Sequence, residues 1–464
     1  FKIYFHNNTY LLMAEKHLLI LETVKDAKSL LNKKSTIPIN LNELDIISTQ
    51  PDIQAYLLKN NINCKNSADY MHPGDYSIIN NKVEIIEKFI SDCIGRKNQE
   101  IPSPWVTNSF TYYFRYLCYY LFWDILLISN ALSGNQYKSI IAFELNENVE
   151  SSPWVLSEER YLGEIAKRIA KHRHIEFLRI PSIGKKKKNK VHLASLRKII
   201  NIIGFNIYLK AAKKFAKEKS ILITNTSKNM DFLCAELLKN DSDLKFCKLG
   251  AGTSLFTEIT DLLQIGLYCL FNHKMVDKVE TVKIDLKLPL YTIALNQSED
   301  YKCELISTYV FTILNHLDTE SKNLTLLEKV NPIDLITEKT KNDILTFLLD
   351  QDFLSFGLIK GLKTLQPNFT ISQMAANINS ALGYISTEFD IPSVLISHGS
   401  HVKHEDKYSA REHEILANNI LVGGYRYLGV QSPIAKKMAE KTKSGSEMII
   451  NIHPVIWAKN VKTS

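Results

Sequence analysis

Residues 395 to 414, "LISHGSHVKHEDKYSAREHE", carry four of the chain's thirteen histidines: His398, His401, His404 and His413. Imidazoles at this density can hold a metal, grip a phosphate or sugar, or line a polar turn. A metal site would use the three-residue spacing of His398, His401 and His404, which a helix brings to one face. The local sequence points elsewhere: "HGSH" directly follows the strand-like "PSVLIS" and contains Gly399, as a loop at a strand end does. No H-E-x-x-H motif, paired cysteine set or second ligand cluster accompanies it. The reading is a phosphate- or sugar-facing loop of His398, Gly399, Ser400 and His401, with a polar turn as the alternative and no metal ligand expected. His404 and His413 are read as surface residues.

Three other stretches place reactive side chains just after a strand-like run. In "KFCKLGAGTSLFTEITDLL" (245–263), Gly250 and Gly252 would let backbone N–H groups approach a phosphate, and Thr253 or Ser254 would cap the following helix. The third glycine of a dinucleotide fingerprint and the G-K-[ST] of a P-loop are both missing, so a plain capped turn is the competing account. In "NTSKNMD" (225–231), Lys228 adds a charge suited to a phosphate or carboxylate among the cap formers Thr226, Ser227 and Asn229. In "FELNENVESSPW" (143–154), Glu144, Glu147 and Glu150 follow a strand; Glu144 is the candidate general base, and a solvated acidic turn is the alternative.

Positioning these groups requires a repeating frame, and the sequence supplies one. "LDIIST" precedes "QPDIQAYLLKNN", "SIIAFEL" precedes "VLSEERYLGEIAKRIAKH", "SILIT" precedes "NTSKNMDFLCAELLKN", and "FTIS" precedes "QMAANINSALGYISTEF". In the last of these, Ala375, Ile378, Ala381, Leu382, Ile385 and Phe389 share one helical face. Strands alternating with amphipathic helices predict an α/β protein with Rossmann-like parallel sheets and flanking helices. Its ligand crevices should lie outside the carboxyl ends of the strands. The 464 residues have room for two or three domains. Breaks at "IGKKKKNK" (183–190) and "KVNPIDLITEKTKND" (329–343) suggest an N-terminal α/β segment at 1–190, a middle segment at 191–330 with the glycine loop, and a C-terminal segment at 331–464.

Composition narrows the function classes. Apolar residues make up 45% and charged residues 23%, the balance of a folded globular chain. A net charge of +8 over this length falls short of the dense basic faces of nucleic-acid proteins, so anionic small partners are expected and nucleic acid is not. The seven cysteines are dispersed without a C-x-x-C, which predicts reduced thiols and a cytoplasmic setting. The N-terminus has neither signal-peptide order nor an initiating Met, so the chain is expected to begin inside its gene. "FRYLCYYLFWDILLI" (114–128) is interrupted by Asp124 and shorter than a spanning segment; it reads as a buried or membrane-touching helix. "KKKK" at 185–188 is either a solvated loop or an anchor to an anionic membrane surface.

The run "LKTLQPNFTISQMAANINSALGYISTEFDIPSVLISHGSH" resembles the strand, helix, I-P-strand, H-G unit of bacterial GT-B glycosyltransferases that build capsules, lipopolysaccharide and related surface glycans. Pro392, His398, Gly399 and Ser400 carry the match, with Ser397 where the family often has Gln. "NNILVGGYRYLGVQSPIAKKMAEK" is similar to the family's next strand and Ser-Pro helix. His453-Pro454 in "EMIINIHPVIW" resembles the pair with which CMP-sugar-using members such as sialyl- and Kdo-transferases hold the nucleotide, with Asn451 where those sites usually carry Lys or Arg.

The resemblance implies a two-domain GT-B arrangement and transfer of a sugar from a CMP- or UDP-sugar to a glycan or lipid-linked acceptor. It implies no required cofactor or metal. Glu144, His398 and His401 are the catalytic candidates. Gly250, Gly252, Thr253, Ser254, Lys228, Gly399, Ser400 and His453 are the donor-binding ones. The chain stops ten residues after Pro454, so a C-terminal portion is expected to be missing or the late segment to close the first domain. The alternative class is a non-catalytic glycan- or partner-binding protein that keeps the doubly wound fold. The expected setting is the cytoplasm, peripheral at the inner face of the membrane.

Overall fold

The computed structural model describes residues 16–31, 41–95, 102–143, 161–180, 194–224, 228–250, 262–263, 265–266, 282, 284–297, 304–320, 327–336, 338–396, 423–442 and 448–452. The chain divides into two units. One comprises Phe1–Phe89, Arg115–Asn189 and His316–Thr340; the other comprises Ile90–Phe114, Lys190–Asn315 and Lys341–Ser464. The polar stretch 329–343 holds one of the passages between them, at Thr340 and Lys341.

The first unit is built on strands β1 (Lys16–Ile20), β2 (Leu44–Ile47), β3 (Tyr137–Phe143) and β4 (Glu176–Ile180). They form one parallel sheet in the order β2-β1-β3-β4. β1 and β3 are central and almost wholly buried, as a strand covered on both faces must be. Helix α1 (Val24–Leu31) opens with a reciprocal cap: Thr23 N–H donates to Asp26 Oδ2 at 3.0 Å, and Asp26 N–H to Thr23 Oγ1 at 3.2 Å. Helix α2 (Pro51–Lys59) starts with proline, whose missing N–H costs nothing at that position. Ala27 and Leu30 of α1 and Ile53 and Leu57 of α2 pack with Leu19, Ile46 and Ile141 of the sheet.

Helices α3 (Pro73–Gly95) and α4 (Pro104–Ser133) follow, and α5 (Tyr161–Arg173) joins β3 to β4. By length and composition α4 could cross a membrane, yet most of its apolar stretch is buried in the protein, including Phe114, Leu121, Phe122 and Ile125.

The second unit holds helix α6 (Ala194–Phe215), β5 (Ser220–Ile223), α7 (Lys228–Asn240), β6 (Lys245–Leu249), β7 (Leu286–Leu288) and α8 (Leu290–Asn296). After α9 (Glu304–Glu320) and α10 (Glu338–Leu365), the chain continues as β8 (Phe369–Ser372), α11 (Ile378–Glu388) and β9 (Ser393–Ile396), then β10 (Tyr427–Val430), α12 (Pro433–Thr442) and β11 (Met448–Asn451). The seven strands are all parallel, in the order β11-β10-β9-β8-β5-β6-β7. From β5 the chain builds outward through β6 to β7; from β8 it builds the other way to β11. That is a doubly wound, Rossmann-like sheet whose order reverses between β5 and β8.

Alternation within β9 sorts the two faces. Val394 and Ile396 lie with α7's Met230 and Cys234, while Leu395 lies with α12's Ala435 and Ala439. The helix expected directly after "FTIS" starts five residues later than its apolar period suggests. Residues 373–377 form a loop, and Ala375, expected on the helical face, is buried within that loop.

Candidate functional site

A parallel sheet gathers the carboxyl ends of all its strands at one edge, and the reversal between β5 and β8 opens a crevice there because successive helices leave to opposite sides. At this point Thr224 N–H donates to Ile371 O at 3.2 Å, and the hydroxyls of Thr224 and Ser372 meet at 3.1 Å, both buried. Ser372 spends its proton on Met374 O at 2.8 Å, so the Thr224 hydroxyl is the donor of the pair.

From Ser372 the chain turns through Gln373, which is buried, to Asn377 at the head of α11. Asn377 has φ 57° and ψ −137°, a region that favours glycine, and its side chain caps no helix N–H. Its Oδ1 instead accepts a short hydrogen bond from the hydroxyl of Tyr113 on α4. Burial pushes the Tyr113 phenol well above its ordinary range, which keeps it a donor.

The same helix is held from two further sides. Asn108 Nδ2 donates to Tyr384 Oη at 3.1 Å, and the Tyr425 hydroxyl donates to Asn379 O. Gly383 leaves no room for a side chain, since a Cβ there would overlap the Gly423 carbonyl oxygen and the Tyr425 ring. Inside the first turn, the Ser380 hydroxyl is buried and has no hydrogen-bond partner among the described residues. The site therefore offers a fixed helix N-terminus, which favours an anion, and buried hydroxyls and amides beside it.

Of the catalytic and donor-binding candidates read from sequence, Gly250 and Lys228 fall among the described residues. Gly250 follows β6; its N–H donates to Leu288 O at 2.9 Å, and a Cβ would sit 2.7 Å from that oxygen. Close approach to β7 is reason enough for glycine at this position. Lys228 is the first residue of α7, next to the reversal point.

Gly252, Thr253, Ser254, Glu144, His398, Gly399, Ser400, His401 and His453 lie outside the described residues, but the strands before them are placed. β6 ends at Leu249, β9 at Ile396 and β11 at Asn451, all on the carboxyl edge of one sheet. At ~4.8 Å per strand, the ends of β6 and β9 stand roughly 14 Å apart and flank the crevice. The end of β11 is ~24 Å from that of β6 by the same spacing. Glu144 follows β3, which belongs to the sheet of the first unit.

The first unit has a reversal of its own, between β1 and β3. Glu22, just beyond β1, accepts a 2.9 Å hydrogen bond from Leu162 N–H in the first turn of α5. Gly163 beside it would bring a Cβ to 3.0 Å from the other carboxylate oxygen. The anion position at this helix head is thus filled by the protein's own carboxylate. Tyr113, Asn377 and Glu22 were not singled out in the sequence. For Glu22 the signal was there, an acid between the strand "KHLLI" and a capped helix start; nothing local marks the other two.

Among the described residues no group of three or more His, Cys, Asp or Glu side chains is placed to hold a metal ion. The described free cysteines include Cys118 and Cys247, whose thiols burial pushes far above their ordinary range, and Cys64, pushed up to about 11. Compared with protein families, with curated proteins and with solved structures, the chain matches none.

Proposed function

We propose that the protein is a GT-B-type glycosyltransferase of surface-glycan assembly. In this reading it moves a sugar from a nucleotide-activated donor, a CMP- or UDP-sugar, to a glycan or lipid-linked acceptor without a bound metal. The observation that carries the reading is the reversal between β5 and β8, with the clamped head of α11 and the end of β9 on the carboxyl edge of the same sheet. A helix N-terminus beside buried hydroxyls suits the phosphate of a leaving nucleotide, whose negative charge grows as the glycosidic bond breaks.

In the proposed mechanism the second unit binds the donor and the first binds the acceptor. His398 and His401 face the donor, Gly399, Ser400, Lys228 and His453 contact its phosphates or nucleotide, and Glu144 or one of the histidines takes the proton of the attacking hydroxyl. The Glu22 carboxylate on the head of α5 supports the division of labour, because it disfavours a phosphate in the first unit. The proposed setting is the cytoplasmic face of the membrane, reached through the lysine run 185–188.

Titration calorimetry of the full chain with UDP-, GDP- and CMP-sugars in the presence of EDTA tests this. Saturable binding of one nucleotide class is expected, with transfer to a glycan or lipid-linked acceptor. Absence of binding to every member of the panel overturns the proposal. Binding without transfer would instead support a non-catalytic binding protein.

A further inference from the structure

Large apolar side chains that reach solvent are not scattered evenly over the described residues. Nine are exposed, and four of these gather at the first half of α6: Ile202 is 46% exposed, Ile203 54%, Leu263 66% and Leu295 37%. Leu263 follows Leu262, which packs so closely on α6 that a Cβ on Gly204 would sit 2.6 Å from its Cδ1. Leu295 precedes Asn296, whose Nδ2 donates to Asn201 O at 3.4 Å. The two leucines thus border the isoleucine pair, one beside Gly204 and one beside Asn201.

The make-up of the helix explains the patch. One face is core: Asn201, Tyr208, Ala211, Ala212 and Phe215 are buried, and the helix packs on β7 and α8. Yet "IINIIGF" (199–205) is apolar all round but for Asn201. Such a helix belongs inside a protein or against lipid, and here one face lies in the open. A single exposed apolar residue is ordinary, whereas a contiguous patch marks an interaction site.

The charge beside the patch decides what meets it. At 3.6 residues per turn Ile202, Asn206, Lys210 and Lys213 stand in one row, all exposed, and the exposed Lys217 lies just past the helix end. The helix contains no Asp or Glu, and no ion pair among the described residues uses Lys210, Lys213 or Lys217. Nucleic acid would account for the lysines, but it calls for stacking side chains and not for exposed aliphatics. An anionic bilayer accounts for both: aliphatic groups enter ~5–10 Å to the acyl boundary, and ammonium groups stay among the phosphates.

We infer that this face of α6, with Ile202 and Ile203 inserted and Lys210, Lys213 and Lys217 on the headgroups, docks the second unit on an anionic lipid bilayer. The membrane setting proposed above rests on the lysine run 185–188, an electrostatic contact alone. The α6 face adds an apolar part, which salt does not screen. It stands whether or not the protein transfers sugars.

The test is co-sedimentation of the full chain with vesicles of phosphatidylcholine and phosphatidylglycerol, and of phosphatidylcholine alone. Binding is expected to be at least ~10-fold tighter to the anionic vesicles, with a part that survives high salt. Ile202→Ser combined with Ile203→Ser should weaken binding by ~10-fold or more and remove the salt-resistant part, with the circular dichroism spectrum retained. Lys210→Gln, Lys213→Gln and Lys217→Gln together should weaken binding to the anionic vesicles by ~10-fold or more. Leu58→Ser, at an exposed leucine of α2 in the first unit, is the control and should change nothing. No vesicle binding, equal binding to both compositions, or a loss seen only when the lysines at 185–188 are replaced by Gln overturns the inference. So does self-association in sedimentation velocity that the isoleucine variant abolishes without vesicle binding, which would assign the patch to a second copy of the chain. Calorimetry with nucleotide sugars is expected to be unchanged by these variants, so failure here and failure of the transferase reading are separate results.

Discussion

The hydroxyl of Tyr113 is hydrogen-bonded to Asn377 Oδ1 across 264 positions of sequence, and it holds an asparagine in a backbone region that favours glycine. The contact joins α4 to the head of α11 within one unit, so the helix end that faces the crevice is fixed from outside its own segment. Two effects oppose each other there. The hydrogen bond contributes about 1 kcal/mol, and the backbone strain at Asn377 costs a similar amount.

Tyr113→Phe is therefore expected to lower stability by ~1 kcal/mol in urea unfolding and to weaken nucleotide-sugar binding. Asn377→Gly in the Tyr113→Phe background relieves the strain without orphaning the phenol. It should recover ~1 kcal/mol. A double variant no more stable than Tyr113→Phe alone would show that Asn377 is unstrained.

Asp124 gives a pH-dependent prediction. Desolvation on α4 pushes its carboxyl up to about 8, from an ordinary value near ~4. Between those values the folded protein keeps a proton that the unfolded chain has released. This group's contribution to stability therefore falls as pH rises from ~4 to ~8 and levels off above. Asp124→Asn removes that contribution, and at about pH 8 the variant should be ~1–3 kcal/mol more stable than the parent, partial exposure of the site tempering the full effect. Urea midpoints at about pH 5 and pH 8 check the sign; a variant with the parent's pH slope refutes the assignment.

Gly383→Ala is expected to cost more than ~3 kcal/mol, because the new methyl group would meet a backbone carbonyl and a packed ring. Gly74→Ala is the control, since a Cβ there meets nothing within 4 Å. Thermal melts of the two variants should differ widely, and equal melting temperatures would contradict the packing of α11 on the turn before β10.

Glu22→Gln keeps an acceptor for Leu162 N–H and loses the charge at the head of α5. A loss of ~0.5–1 kcal/mol is expected, larger at low ionic strength. Glu22→Ala should cost about twice as much by removing the cap as well. An unchanged urea midpoint for Glu22→Ala would mean that the carboxylate does not serve this helix.

Many of the strands were legible because parallel strands covered on both faces are short apolar runs, and "LDII", "SILI", "FTIS" and "SVLI" are such runs; β1, β4 and β7, in which charged residues interrupt the run, were not. The edge on which chemistry should lie was legible too, since it follows from strand direction. The start of α11 was not: Gln373 to Ala376 fit a helical period, yet they form a loop that leads to Asn377, whose side chain is held by Tyr113. The need for glycine at 250 that comes from β7 was not legible, because a neighbour 38 residues along the chain leaves no local trace. Tyr113 could not be found at all. Its role depends on a contact between segments that sequence spacing does not relate.

The pairing of β5 with β8 has a kinetic meaning. Thr224 and Ser372 are 148 positions apart, yet the crevice exists only once their strands lie side by side. Closing so long a loop before any contact rewards it is slow, and parallel pairing of distant strands is the slowest kind. The half built outward from β5 can be synthesised and collapse while β8 is still untranslated, leaving the edge of β5 open to other chains in the interval. Assembly of the candidate site is thus the late step of folding, and refolding from urea should recover ligand binding after most of the helical signal has returned.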